Sequence, residues 1–185
     1  MKAASTLAPA SHGLTFLPFL KGERSPGWND TATACIAGIT AQTESKHIFR
    51  AGLEAVALRL AVIGSLMGTL LFYADNVVLM SFAIAPFVGS DSVVVGSGTA
   101  LRSSGLWRQI LADALGKDVC MEYDAAESTS KGVAILMGQE LPKVFHVGDN
   151  RFGAYDVTNP CADAHSVYLS ARLQQEQLYH KLLVK

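Results

Sequence analysis

Apolar residues follow a helical period in the first half of the chain. They recur at intervals of four, three, four and three residues, at Phe49, Leu53, Val56, Leu60 and Ile63. This spacing puts them on one face of a predicted helix, and we expect that face to pack in the core. Thr43 precedes the helix and is placed to cap it, because a threonine hydroxyl can accept a hydrogen bond from a free N–H of the first turn.

Three polar side chains share another face of this predicted helix. His47, Arg50 and Glu54 are three and four residues apart, and opposite charges at i and i+4 can pair on a helix surface. We interpret Arg50 and Glu54 as a solvated ion pair, a type that contributes about 0.2–0.5 kcal/mol.

Strand and helix patterns alternate along the rest of the chain. Short β-branched or apolar runs predict strands over 14–20, 35–39, 92–96 and 118–122. A helix capped by Ser103 or Ser104 and ended by Gly116 lies between the last two strands. Its predicted core face consists of Trp107, Ile110, Leu111 and Ala114. Further helices are predicted over 127–137 and 162–183, so the succession is typical of an α/β layer.

The last predicted helix has five large apolar residues available for packing. They are Val167, Leu169, Leu173, Leu178 and Leu182.

Residues 60–89 are almost wholly apolar. Asp75 and Asn76 divide them into two pieces shorter than the roughly 20 residues of a membrane span, and Pro86 interrupts the second piece. We therefore favour a buried or inserted segment over a transmembrane helix. Membrane attachment through this segment is the less favoured alternative.

Composition excludes several classes of function. A net charge of -1 offers no excess of cations for a nucleic-acid backbone, so we expect no nucleic-acid partner. Three cysteines, far apart in sequence, fit neither a disulfide framework nor a metal knuckle. The first nine residues lack a secretory pattern. Together these features favour a cytoplasmic protein.

A glycine-rich turn is the most informative local feature for ligand binding. It comprises Gly96, Ser97, Gly98, Thr99 and Ala100, between a predicted strand and a predicted helix. Glycines let a ligand approach the backbone closely, and free N–H groups favour anionic or polar ligands. The turn matches neither the dinucleotide fingerprint nor a Walker A loop. A plain structural turn therefore remains the alternative at this point.

Other catalytic signatures are weak or lacking in the sequence. It contains no GxSxG or HExxH motif, and its five histidines are too dispersed for metal-ligand spacing. Asp113 lies opposite the apolar face of its predicted helix. We interpret it as a solvated or capping carboxylate.

Four segments, in order, resemble the C-terminal half of the FGGY carbohydrate kinases. They are residues 13–28 (GLTFLPFLKGERSPGW), 38–59 (GITAQTESKHIFRAGLEAVALR), 94–113 (VVGSGTALRSSGLWRQILAD) and 127–136 (ESTSKGVAIL). The resemblance implies an α/β fold of the actin-like, ribonuclease-H-type ATPase class, forming one C-terminal lobe of a two-lobed sugar kinase. Within the family, the Ser-Pro-Gly-Trp sequence at 25–28 is more similar to the gluconate-kinase branch.

The resemblance also implies the ligands and the site. ATP and Mg²⁺ are expected, and the acceptor is a sugar or sugar acid. The implied nucleotide contacts are Gly96, Ser97, Gly98, Thr99, Ala100, Ser103 and Gln109. Trp107 is expected to pack in the core. Glu23 and Arg24 are expected to stabilise their loop by pairing, with direct substrate contact as the less favoured alternative. The helix bearing His47, Arg50 and Glu54 is expected to be a wall of the domain rather than a catalytic element.

Two departures from the family pattern limit what the resemblance implies. We find no Asp-x-Gly-Thr phosphate loop and no matching catalytic base, and both are needed for phosphoryl transfer. We therefore expect the catalytic and sugar-binding groups to come from a missing N-terminal domain, with this chain alone inactive. Residues 1–185 would form the C-terminal domain, with an atypical apolar insertion at about 64–90. The alternative is an inactive truncated isoform that binds nucleotide or dimerises, and a homodimer is compatible with either interpretation.

Overall fold

The computed structural model describes residues 2–73, 94–122, 137 and 155–183. Its elements, in chain order, are α1 (Lys2–Ser5), β1 (Thr15–Leu17), β2 (Cys35–Ala37), α2 (Ser45–Tyr73), β3 (Val94–Gly96), α3 (Thr99–Ser103), α4 (Gly105–Leu115), β4 (Val119–Glu122), β5 (Tyr155–Thr158) and α5 (Ala162–Leu183). Strands are thus observed within all four predicted ranges. The predicted helix over 127–137 lies outside the described residues except for Met137, which is helical.

The strands form two small sheets. β1 and β2 are antiparallel, with Thr15 opposite Ala37. In the second sheet β4 is central, parallel to β3 and antiparallel to β5. Helices α3 and α4 connect β3 to β4, which makes a strand–helix–strand crossover. This mixed arrangement agrees with the predicted α/β class.

Helix α4 begins and ends as its sequence predicts. The Ser104 hydroxyl accepts a hydrogen bond from the Trp107 N–H at 3.2 Å. Gly116 ends the helix in the left-handed conformation, with φ 63°, which glycine adopts without a steric penalty. Ile110 and Leu111 are buried, and Trp107 packs partly buried against the same core. The predicted packing role of Trp107 is thus confirmed.

The main core lies where α2, α4, β4 and α5 meet. Its buried members are Ala57, Leu58, Ile110, Leu111, Ala112, Ala114, Val119 and Tyr168. A smaller cluster of Leu17, Phe19 and Ala32 is covered by the C-terminal part of α5. Helix α5 therefore packs against both clusters, because its 22 residues extend from one to the other.

The predicted core face of α2 is only partly correct, because Leu53 alone of its members packs against the main core. Phe49 and Leu60 are 44% and 42% exposed. The buried residues are instead mainly small or charged: Arg50, Ala51, Glu54, Ala55, Ala57, Leu58, Arg59, Ala61 and Val62. Small side chains let α4, α5 and β1 approach α2 closely. These elements therefore bury the face of α2 that has small side chains, and part of the more apolar face stays exposed.

The packing predicted for α5 also differs. Val167, Leu169, Leu173 and Leu182 are exposed, and Leu178 alone of the five packs against the smaller cluster. The buried positions are Ala164, Tyr168 and Gln175. In the described part of the chain, no helix is long and apolar enough to span a membrane. The rest of the 60–89 segment, from residue 74 on, lies outside the described residues.

Candidate functional site

The glycine-rich turn joins the C-terminal end of β3 to α3. Gly98 has φ 95° and ψ 155°, a backbone conformation that side chains with a Cβ rarely adopt. Gly96 has a different reason to be glycine, because a Cβ there would lie 2.6 Å from the sulfur of Met121. Ser97, Gly98, Thr99 and Ala100 are exposed. The turn thus presents its backbone to solvent, while Gly96 lets β3 pack against β4.

The two other predicted nucleotide contacts lie in different surroundings. Ser103 is exposed, and its hydroxyl donates to the Ala100 carbonyl at 3.3 Å. The Gln109 amide nitrogen donates to Asp113 Oδ1 at 2.8 Å and to the Asn159 carbonyl at 3.0 Å. Ser103 therefore lies beside the turn. The amide nitrogen of Gln109, in contrast, is engaged in two hydrogen bonds, one within α4 and one to the backbone of Asn159.

Asp113 is buried, not solvated. Its Oδ1 accepts the Cys161 N–H at 2.8 Å, immediately before α5 begins. Asp113 thus caps α5 from a neighbouring helix. A free backbone N–H at a helix start needs such a partner when it is shielded from water.

A buried network of ionisable groups joins α2 to α5, and the interpretation of Arg50 and Glu54 as a solvated pair is wrong. Arg50 Nε donates to Glu54 Oε1 at 2.5 Å, and the two residues are 4% and 2% exposed. The Tyr168 hydroxyl donates to the same oxygen at 3.0 Å and accepts from the Arg50 guanidinium at 3.1 Å. Arg50, Glu54 and Tyr168 therefore supply one another with hydrogen-bond partners, as buried polar groups require.

His12 completes the network. Its Nδ1 accepts the Leu14 N–H at 3.0 Å, so Nε2 is the donor to Glu54 Oε2 at 2.9 Å. Burial by itself would raise the pKa of Glu54. Hydrogen bonds from His12 and Arg50, with the charge of Arg50, outweigh burial and hold the pKa of Glu54 below its usual value. Burial raises the pKa of the Tyr168 phenol, and the negative charge of Glu54 adds to that rise.

Glu23 pairs with Arg59, not with Arg24 as predicted. An Arg59 nitrogen lies 2.5 Å from Glu23 Oε1, and the Tyr179 hydroxyl donates to the other oxygen at 2.6 Å. The guanidinium also lies 5.3 Å from the Phe19 ring centre and 4.8 Å from that of Tyr179, within cation–π range. Arg24 is exposed.

A cavity of about 290 Å³ lies between β1, α2 and α5. Its lining comprises Ala10, His12, Gly13, Leu14, Thr15, Phe16, Ala51, Glu54, Ala55, Leu58, Ala171, Gln174 and Gln175. Residues 96–100 are not in this lining. The cavity and the glycine-rich turn are therefore separate features of the described structure.

Sequence reasoning did not identify His12, Tyr168, Arg59 or Gln175 as members of polar clusters. Tyr168 is 114 residues from Glu54 along the chain, and no local period marks such a pair. Within the described ranges, no three His, Cys, Asp or Glu side chains are close enough to hold a metal ion.

Comparisons of sequence identify relatives. The model of the FGGY family of carbohydrate kinases, C-terminal domain, matches residues 1–139. The gluconokinase of Bacillus licheniformis is 30% identical over 135 residues, covering 73% of this chain and 23% of that protein. The glycerol kinase of Citrifermentans bemidjiense is 34% identical over 130 residues, covering 70% and 23%. The chain thus spans about a quarter of the length of the curated relatives it matches.

Solved structures share the fold. The ligand-bound xylulose kinase of Lactobacillus acidophilus superposes with a TM-score of 0.70 at 19% identity, covering all of this chain and 34% of that one. The Plasmodium falciparum glycerol kinase with ADP has a TM-score of 0.67 at 22% identity, with coverage of 100% and 33%. The fold is therefore one lobe of the actin-like ATPase class, as predicted. The extent of the family match and the identity to gluconokinase show that this chain belongs to the FGGY family of carbohydrate kinases, within its C-terminal domain.

Proposed function

We propose that this chain is the nucleotide-side lobe of a kinase that transfers a phosphoryl group from ATP to a hydroxyl of a sugar or sugar acid. The observation that carries the proposal is the exposed turn at 97–100, which follows the parallel strand β3 in a member of this family. Ligands of open α/β sheets bind beyond the carboxyl ends of the strands, where loops expose their backbone N–H groups.

The proposed nucleotide contacts are Gly96, Ser97, Gly98, Thr99, Ala100 and Ser103. Gln109 belongs to the proposed site as a residue that supports them. The open space around Gly98, where an added Cβ would meet nothing within 4 Å, supports close approach of a ligand to the backbone. Gln109 is proposed to act through packing, since its amide nitrogen holds Asp113 and the Asn159 carbonyl.

A carbohydrate-kinase family implies ATP and a divalent metal. Phosphoryl transfer also needs a base positioned at the acceptor hydroxyl. The buried carboxylates of Glu23, Glu54 and Asp113 already accept hydrogen bonds within the fold. We therefore propose that the base, the metal-binding groups and the sugar contacts come from the family's other lobe.

We propose gluconate or a related sugar acid as the acceptor, since two gluconokinases are among the relatives and the Ser-Pro-Gly-Trp segment resembles that branch.

Residues 1–185 are proposed to form one domain with an apolar insertion at about 64–90. The described part of that insertion continues α2 as far as Tyr73. A cytoplasmic location remains part of the proposal and is consistent with three free cysteines in the described structure.

Nucleotide binding to the purified chain tests the proposal. Titration calorimetry with ATP and Mg²⁺ is expected to show weak, saturable binding that Gly98→Val lowers at least tenfold. Gly105→Ala is the matched control, because Gly105 has no positive φ and lies outside the turn. Stable folding without any nucleotide binding would instead favour the inactive module.

A second measurement tests the assignment of the base. The pure chain is expected to show no sugar-dependent release of ADP. Measurable turnover of gluconate by the chain alone would mean that a base is present in it and would overturn that part of the proposal.

A further inference from the structure

Helix α3, which contains the last two residues of the glycine-rich turn, has little intrinsic stability. It is a single turn of five residues, Thr99–Ser103, and none of them is buried. Leu101 alone packs, partly buried, against the main core. Helices this short are marginal in water without support from the rest of the fold. The conformation of α3, and of the turn that leads into it, therefore depends on contacts from other elements.

Arg108 of α4 supplies such a contact at the C-terminal end of α3. Its Nη1 donates to the Leu101 carbonyl at 3.0 Å and to the Arg102 carbonyl at 2.9 Å. The last carbonyls of a helix lack partners within that helix, and they carry a partial negative charge. A guanidinium is a strong partner for them, because its N–H groups are charged donors. Arg108 thus holds α3 from a neighbouring helix.

The position of Arg108 in its own helix supports this role. It is the fourth residue of α4, where the partial positive charge of the helix start disfavours a cation. Its side chain is only 17% exposed, and within the described residues its Nε has no hydrogen-bond partner. The nearest carboxylate oxygen, Asp156 Oδ2, lies 3.4 Å from Nη2, beyond the usual N–H···O distance. The two carbonyls of α3 are therefore its shortest hydrogen bonds.

A further hydrogen bond continues from α3 to the turn. The Arg102 N–H donates to the Gly98 carbonyl at 3.1 Å, so two hydrogen bonds through one residue link Arg108 to Gly98. Gly98 has φ 95°, and glycine has access to many other backbone conformations. Displacement of α3 is therefore expected to break the link and to let the turn change its conformation.

We propose that Arg108 is a positioning residue for the nucleotide, because it holds α3, and through α3 the glycine-rich turn, in the conformation that exposes the backbone of 97–100. This role rests on the proposed function, in which the turn is the nucleotide site. Arg108 itself is not a proposed nucleotide contact. A ligand that needs one conformation binds more weakly in proportion to the fraction of molecules that adopt it. Loss of the guanidinium is therefore expected to weaken nucleotide binding while every proposed contact stays in the chain.

Titration calorimetry of the purified chain with ATP and Mg²⁺ tests this role. Arg108→Met removes the donors and keeps an apolar stem, and it is expected to raise Kd about tenfold, as when the competent fraction falls to about a tenth. Arg108→Lys is expected to recover part of the affinity, because an ammonium can still donate to a carbonyl. Asp156→Ala is the matched control. It removes the contact of Arg108 with β5 and is expected to leave Kd unchanged.

Amide exchange with solvent, measured by NMR without nucleotide, separates positioning from a general loss of stability. Arg108→Met is expected to accelerate exchange of the Arg102 amide more than that of the Ala112 amide, which lies in the buried part of α4. Asp156→Ala is expected to leave exchange at Arg102 as in the wild type.

Three results would overturn this role. They are a folded Arg108→Met variant that binds ATP as tightly as the wild type, an equal loss of affinity in Asp156→Ala, and equal acceleration of exchange at Arg102 and Ala112. A wild-type chain that binds no ATP would instead contradict the proposed function. The exchange measurement needs no nucleotide, so it decides whether Arg108 holds α3 in that case too.

Discussion

The hydroxyl of Tyr168 lies 3.0 Å from Glu54 Oε1 and thereby joins α5 to the buried ion pair of α2. Arg50 donates to the same hydroxyl from the other side at 3.1 Å. One phenol oxygen therefore serves both members of the pair. A buried polar contact therefore links the two helices beside the main core.

Tyr168→Phe is expected to destabilise the chain by about 1–3 kcal/mol, because it leaves buried charged groups with one partner fewer. Chemical denaturation of wild type and variant measures the difference. Leu173→Ala, at a 57% exposed position of the same helix, is the control and is expected to stay within about 0.5 kcal/mol. A Tyr168→Phe variant as stable as that control would contradict the importance of the hydroxyl.

Acid is expected to destabilise the fold through Glu54. The pKa of Glu54 is lowered in the folded state from an ordinary value of 4.5. The carboxylate therefore contributes stability that is present above about pH 4.5 and is lost as the pH falls through the lower folded pKa. Denaturation between pH 2 and pH 7 is expected to show this loss in wild type and less of it in Glu54→Gln.

At pH 7 Glu54→Gln is expected to cost about 3–5 kcal/mol, because it leaves the buried Arg50 without its counter-charge. Glu44→Gln removes an exposed ion pair with Lys46 and is expected to change stability far less. Equal effects of the two substitutions would show that burial of the Arg50–Glu54 pair has no energetic consequence.

Arg59→Met is expected to destabilise the fold by about 3–5 kcal/mol, because Glu23 then loses its buried cationic partner. Arg59→Lys is expected to recover only part of this loss, since an ammonium is a compact charge that does not reproduce the contacts of the planar guanidinium with Phe19 and Tyr179. Thermal and chemical unfolding measure both variants.

Arg24→Met is the matched control for Arg59. Arg24 is exposed and adjacent in sequence to Glu23, so its removal is expected to change stability by less than about 0.5 kcal/mol. A larger effect at Arg24 than at Arg59 would restore the pairing predicted from the sequence.

Gly98→Ala is expected to destabilise the chain by about 1–3 kcal/mol, because an alanine at φ 95° is strained even where space is open. Gly105→Ala, in the first turn of α4, is expected to be neutral or stabilising by up to about 1 kcal/mol. Chemical denaturation checks both. Equal stability of the two variants would mean that the turn readily adopts another backbone conformation.

The sequence was sufficient to predict the elements whose signals are local. Ser104 and Gly116 mark the ends of α4 because capping depends on hydrogen bonds within one turn. The β-branched run before Gly96 predicts β3 for a similarly local reason. The family also follows from the sequence, since its four segments are contiguous stretches in a fixed order.

Only the tertiary structure decided which helix faces are buried and which charges pair. The apolar stripe of α2 through Phe49 and Leu60 predicts a helix correctly, yet α4, α5 and β1 pack on the face that contains Ala51 and Glu54. Close packing depends on the shape of the side chains as well as on their hydrophobicity. Charged groups can be buried where residues distant in sequence provide their hydrogen-bond partners. Glu54 meets Tyr168 across 114 residues of sequence, a separation that periodicity and spacing cannot encode.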